Sequence, residues 1–220
     1  MRLVLRLSLC CPLVGALHSP TVGRVASRLA VDGRRQLLSP RMIAIERSYS
    51  VLERVDNIRS GKMDQRAYRW IEVANGMRAL LVSDGDVEQA AAALEVRAGH
   101  FQDPAEMPGL AHLTEHMMFL GTEEYPGEGE FKAFLSKNGG SSNAFTGMEA
   151  TGYHFAVHHG SLPEALKRFA SFFSGPLFRR ESIEREVHAI DSEYRRNLQS
   201  DARRLFQLMK HTAQPSVRTI

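Results

Sequence analysis

Beyond residue 66 the apolar positions fall into short runs whose spacing changes along the chain, and each change marks an element. Residues 68–73 and 77–82 are rich in apolar and β-branched side chains and flank Asn75-Gly76, a dipeptide that favours a tight hairpin turn. They predict two paired strands, closed by Ser83-Asp84-Gly85-Asp86. A third strand is expected over 91–98, with Gly99 as its stop. The period then becomes helical. Pro108-Gly109 precedes an apolar helix over 110–120 that ends at Gly121, and a second helix runs over 129–137 to the breaker Asn138-Gly139-Gly140. Residues 142–146 and 151–157 return to strand. Residues 162–173 form an amphipathic helix, and 182–209 a long one with polar outer faces. The order β-β-β-α-α-β-β-α-α groups strands that hairpins can join, which predicts an α+β domain with a largely antiparallel sheet flanked by helices.

The segment before this domain has a different character. Residues 1–42 carry Arg2, Arg6, Arg24, Arg28, Arg34, Arg35 and Arg41, no Lys and one acid, Asp32. This composition reads as a disordered leader or targeting segment. A secretory reading rests on the apolar run 7–17; Arg6 and Pro12 interrupt that run, and the Arg spacing favours an organellar address, mitochondrion or plastid. Residues 43–66 read as a linker or arm, 67–209 as the domain, and 210–220 as a divergent tail.

Charge and cysteine usage narrow the chemistry. The chain totals 28 basic and 25 acidic residues, but the excess lies in the leader, so the remainder is mildly acidic. That removes the basic face a nucleic-acid protein needs. Cys10 and Cys11 are adjacent and lie in the leader, leaving neither a disulfide framework nor a thiolate metal site downstream. Any metal must be held by His, Glu or Asp. No stretch approaches the ~18 consecutive apolar residues of a membrane span.

His112-Leu113-Thr114-Glu115-His116 supplies such ligands. Residues four apart on a helix share a face with Cβ atoms about 5–6 Å apart, near enough for both imidazoles to reach one ion. Glu115 lies on the same flank, where a carboxylate can serve as base beside an open coordination position. The order H-x-x-E-H is that of the inverzincins. Leu110, Ala111, Leu113, Met117, Met118, Phe119 and Leu120 surround the pentad with apolar side chains, so an unpartnered carboxylate there would be costly and a cation would offset it. A third ligand must come from another element. On the last helix the apolar stripe is Ile183, Val187, Ile190, Tyr194, Leu198 and Leu205; Glu186 and Glu193 share one flank, Glu184 and Asp191 the other. Periodicity leaves both pairs open.

The blocks 109–122, Tyr125-Pro126, 140–146 and 185–194 together resemble the insulinase family of metallopeptidases (insulysin, nardilysin, pitrilysin), whose fold is shared with mitochondrial processing peptidases. The resemblance covers about residues 67–208. It implies one zinc ion held by His112, His116 and Glu193, with Glu115 as the general base for a zinc-bound water and Glu186 supporting catalysis. It implies that Asn143, Ala144 and Phe145 belong to an edge strand that pairs with an extended peptide. Phe119 would line the adjacent side-chain pocket or belong to the core. Phe119-Leu120-Gly121-Thr122 and Asn143-Ala144-Phe145-Thr146 resemble the insulysin branch more closely than the processing peptidases.

The expected function is therefore a zinc metalloendopeptidase acting on short peptides. Full insulysin-type enzymes are about four times as long, and their C-terminal half carries an Arg and a Tyr that help hold substrate. This chain corresponds to part of the first of four domains, so a C-terminal half or a homologous subunit is an expected partner. A non-catalytic binding or assembly module is the alternative.

Overall fold

The computed structural model describes residues 3–9, 50–56 and 58–212. Seven strands form one sheet: β1 (Leu3–Leu9), β2 (Val51–Val55), β3 (Ala67–Val73), β4 (Arg78–Ser83), β5 (Gln89–Val96), β6 (Ser141–Thr146) and β7 (Thr151–His158). Their spatial order is β2-β3-β4-β1-β5-β7-β6. Every pairing is antiparallel except β1 with β5. Five α-helices lie among the described residues: α1 (Leu110–Met117), α2 (Glu130–Lys137), α3 (Leu162–Ser174), α4 (Arg180–Asn197) and α5 (Asp201–Thr212). The expected α+β architecture is what is found. No helix among the described residues is long and apolar enough to cross a membrane.

The core follows from alternation on β5 and β7. Ala90, Ala92 and Leu94 are buried on one strand, and Tyr153, Phe155 and Val157 on the other. Both sets turn to the face covered by α2 and α3, where they meet Phe131, Leu135, Leu162, Ala165, Phe169 and Phe172. The aromatic rings pack edge to face: Phe131 lies 5.1 Å from Phe172 and 5.7 Å from Phe155, and Phe155 lies 5.1 Å from Phe169. Such pairs add about 0.5–1.5 kcal/mol beyond their area burial. This cluster fixes the position of β7, and through it the edge strand β6.

Four features differ from the sequence reading. Leu3–Leu9, within the segment read as a disordered leader, forms a strand; the alternation of Leu3, Leu5, Leu7 and Leu9 with Val4, Arg6 and Ser8 is the period-two signal that the Arg-rich composition obscured. Residues 10–42 of that reading, and 213–220 of the tail, lie outside the described residues. Val51–Val55, inside the expected arm, pairs with β3 although all five residues are exposed, so hydrophobic periodicity could not have revealed it.

The expected helix 182–209 is two helices, interrupted at residues 198–200. Ser200-Asp201 is a helix-start pair, and the Ser200 carbonyl accepts the Arg204 amide as α5 begins. The apolar stripe does not bury α4 either. Val187, Tyr194 and Leu198 are 48%, 57% and 51% exposed, while Ser182, Glu186, Ile190, Glu193 and Asn197 face inward.

Phe131→Ala is expected to lower unfolding free energy by about 3–5 kcal/mol, since it empties the centre of the aromatic cluster. Urea denaturation followed by circular dichroism measures this; a loss under 1 kcal/mol, on the order of a surface change, would contradict the core assignment.

Candidate metal centre

Helix α1 begins abruptly, and its start is held from outside. Gly109 sits in the left-handed region (φ 94°) with no side chain to cap the helix. Asp103 does so instead: Oδ2 accepts the Gly109 amide at 2.8 Å and Oδ1 the Ala111 amide at 2.7 Å. Its side chain is 8% exposed, and Oδ2 also lies 3.4 Å from Nδ1 of His100. At the other end the helix tightens, the Phe119 and Leu120 amides bonding to the carbonyls of His116 and Met117. Gly121 (φ 105°) then turns the chain where a Cβ would collide with the Pro126 carbonyl. The pentad is thus pinned at both ends.

On this helix the rings of His112 and His116 stand 4.8 Å apart at 90°. Glu193 of α4 meets them, Oε2 lying 3.9 Å from Nε2 of His112 and 4.0 Å from Nε2 of His116. One ligand atom from each residue lies within 4.8 Å of the other two. A tetrahedral ion with ligands at about 2.0–2.1 Å requires ligand atoms somewhat closer than this, a contraction that side-chain rotation supplies. Two neutral nitrogens and one carboxylate are a donor set suited to zinc.

The environment prepares both imidazoles for a cation. Burial pushes His112 below its ordinary pKa, with His116 adding to the effect while Glu193 and Glu115 oppose it, which favours the neutral, metal-binding form. Glu186 of α4 lies 3.0 Å from Nδ1 of His116, so that nitrogen can donate to the carboxylate and leave Nε2 facing Glu193. The alternative flank is elsewhere: Glu184 pairs with Arg180 at 3.0 Å and Asp191 with Arg195 at 2.9 Å, both in solvent. Seven residues, close to two helical turns, separate Glu186 from Glu193 and keep both on the inward face.

Glu115 turns to the sheet. Oε2 accepts a 2.5 Å hydrogen bond from the hydroxyl of Thr146, the last residue of β6. Among the described residues β6 pairs with β7 alone, so its other edge is open. Asn143 and Phe145 are exposed and Ala144 half-buried on this strand. Phe119 lies one turn beyond His116, its amide bonded to the His116 carbonyl. It packs into the core, 5.2 Å from Phe172 and 6.3 Å from Tyr153, with the Lys132 ammonium over its ring. Of the two roles the sequence left open for Phe119, the structure favours the core.

Sequence reasoning missed several residues around the centre. Asp103 lies seven positions before α1, too far to read as an ordinary cap, and only the fold brings it there. His100 is 6.4 Å from the His112 ring. With Thr146, Met148, Tyr194, Asn197 and Arg204 it lines a cavity of about 410 Å³ running from the end of β6 to α4 and α5. Tyr153 lies behind Glu115, its phenol held well above the usual value by burial and then by the Glu115 charge. Period alone places Thr146, Tyr153 and Tyr194 on their elements but does not bring them to the centre.

A largely antiparallel α+β sheet with an H-x-x-E-H helix facing a helical glutamate defines the class of inverted-motif metallopeptidases. Comparison with known proteins places the chain more closely. The profile of insulinase (peptidase family M16) matches residues 78–216. The insulin-degrading enzyme of Mus musculus is 44% identical over 207 residues, covering 92% of this chain and 20% of that one. The A-factor-processing enzyme of Saccharomyces cerevisiae is 49% identical over 148 residues, covering 67% and 14%. The crystal structure of pitrilysin superposes with a TM-score of 0.70 at 32% identity, covering 76% of this chain and 18% of that one. The chain belongs to the insulinase family. It spans about a fifth of the length of the mouse relative.

Asp103→Ala removes both bonds that cap α1 and is expected to cost about 2 kcal/mol of stability. Asp103→Asn, which keeps one acceptor, should recover roughly half of it. Equal urea midpoints for wild type and Asp103→Ala would show that the helix start does not depend on this carboxylate.

Proposed function

We propose that this chain is a zinc-dependent domain for hydrolysing peptide bonds of short peptides. The observation that carries the reading is the convergence of His112, His116 and Glu193, with Glu186 holding the far nitrogen of His116. Bound zinc would supply Lewis acidity, bringing the pKa of water from 15.7 towards ~7 and polarising the scissile carbonyl.

The chain's own side chains do the rest. Glu115 takes the proton from the attacking water and passes it to the leaving amine. The Thr146 hydroxyl, bonded to Glu115, fixes the carboxylate's orientation. Glu186 keeps the Nε2 atom of His116 turned towards Glu193. The open edge of β6 receives the substrate: Asn143, Ala144 and Phe145 offer main-chain amides and carbonyls to an extended peptide, which gives affinity with little sequence selectivity. Because Thr146 ends that strand, a peptide lying along β6 passes beside Glu115.

A binding or assembly module is the second reading. It is favoured by the exposed apolar side chains of α4 and α5, where Tyr194, Leu205, Leu208 and Met209 are all more than half exposed.

Metal analysis of protein refolded with zinc and dialysed is expected to find about one equivalent per chain, lost in His112→Ala. Less than about a tenth of an equivalent in wild type would sink the proposal. Glu186→Gln should weaken zinc affinity by about 10–100-fold, as removal of a ligand's supporting partner does. Glu115→Gln should retain zinc and abolish cleavage of a fluorogenic peptide. The assay is made on the chain alone and on the chain mixed with a separately expressed C-terminal half of a full-length relative. Cleavage in neither mixture favours the assembly module, and undiminished cleavage by Glu115→Gln removes that residue from the mechanism.

A further inference from the structure

The start of α4 is tied to the segment joining α1 and α2 by side chains spaced three residues apart. Arg179 donates to the Pro126 carbonyl at 2.9 Å, the Ser182 hydroxyl to Oε1 of Glu128 at 2.6 Å, and Nη2 of Arg185 to Oε2 of Glu128 at 2.8 Å. That spacing keeps neighbouring contacts on adjoining parts of one helix face. One residue further on, the same seam reaches Glu186 and the candidate metal centre.

Along this seam two carboxylates are each engaged through both oxygens. Glu128 accepts from Ser182 on one side and from Arg185 on the other. Arg185 turns Nε towards Oε1 of Glu186, at 3.8 Å, and Oε2 of Glu186 lies 3.0 Å from Nδ1 of His116. A guanidinium carries its donors in a rigid planar fork, so the bond at Nη2 also sets the direction of Nε. Ser182 is buried, which fixes the far end of the series. The side chains of Arg185 and Glu128 are 53% and 37% exposed, and pairs this open to water add little to stability. What the pair can supply is direction. The last torsion of a Glu side chain is broad, so a carboxylate held at one oxygen alone turns freely about it. A cation at the second oxygen fixes the plane.

We propose that Glu128 and Arg185 are positioning residues for the candidate metal centre. They set the plane of the Glu186 carboxylate, and through it the orientation of the His116 ring with the proton on Nδ1. Both act through Glu186. The consequence for zinc rests on the proposed function, whereas the orientation of His116 does not and is read in metal-free protein.

Nitrogen-15 NMR of the full chain with labelled histidine, at about pH 8 where an ordinary imidazole is neutral, reports the His116 tautomer. The signal is assigned by its absence in His116→Ala. In the wild type the proton should reside on Nδ1. Arg185→Met and Glu128→Ala should each shift the population towards the Nε2–H form, and Arg185→Lys, which keeps the charge without the fork, should restore it only in part. Zinc titration against a chromophoric chelator should show affinity about tenfold weaker in Arg185→Met and Glu128→Ala, the lower end of what loss of a ligand's supporting partner costs. In a Glu186→Gln background neither substitution should weaken binding further. A wild-type His116 protonated on Nε2 overturns the proposal without any variant. An unchanged tautomer in both variants overturns it too, even with a lowered urea midpoint, because a merely structural seam would behave that way. So does a full further loss of affinity in Glu186→Gln, which would show another route. A wild type that binds no zinc removes the proposed function and leaves the NMR result to decide this one.

Discussion

Two imidazoles one helical turn apart, turned towards a carboxylate on another helix, form the constraint around which this fold is arranged. His112 and His116 must be neutral to accept a cation, and Glu193 must remain charged beside them. Partial burial and the mutual repulsion of the two rings favour the neutral imidazole at His112. Glu186 fixes His116 through its other nitrogen. The geometry tolerates little movement of α1 against α4, and the surrounding contacts restrict that movement. Asp103 holds the helix start, Gly121 turns the chain after it, and Ser182 and Arg185 at the beginning of α4 both bond to Glu128.

The same helix connects the proposed metal ligands to the sheet. Glu115 is one residue from His116 but bonds to Thr146, so the proposed base and the edge strand share a hydrogen bond. β6 is in turn registered against β7, whose Tyr153, Phe155 and Val157 are locked into the aromatic core. Positional accuracy at the centre thus derives from packing beneath the sheet. Rigid elements hold a catalytic constellation more accurately than loops do, and every proposed ligand and the proposed base here lies on a helix.

The pentad was legible because the helical period puts His112 and His116 on one face whatever the rest of the fold does. Glu193 was legible only as one of two flank pairs. The wheel treated Val187, Tyr194 and Leu198 as the buried stripe, whereas α4 rests on α1 through a polar face, and a hydrophobic scale has no means of choosing a polar contact. Ile190 alone of the expected stripe's centre stays on the inward side. β1 was hidden for a different reason: its alternation is clear, but it sits in an Arg-rich segment whose composition points to targeting, and its partners β4 and β5 lie over seventy positions away. Asp103 was unreadable because its role depends on a tertiary approach between a 3₁₀ turn and a helix start. Local periodicity recovered what local periodicity determines, and the polar contacts between distant segments were settled by the fold.

The exposure of the ligands bears on what such a centre can do in this chain. The side chains of His112, His116 and Glu193 are 27%, 28% and 38% exposed. Charge that develops in a transition state is stabilised more strongly where water is excluded, because the local dielectric is lower and the dipoles are already oriented. On the proposed function, metal affinity would depend mainly on the three proposed ligands and on Glu186. Acceleration of peptide hydrolysis depends further on walls that exclude water and on substrate contacts distant from the reacting bond. One open strand edge and a cavity of about 410 Å³ supply part of that enclosure. On the proposed function, zinc binding and turnover should separate: the geometry of the three proposed ligands is built within the described residues, and efficient catalysis would call for a surface that closes over β6 and α4.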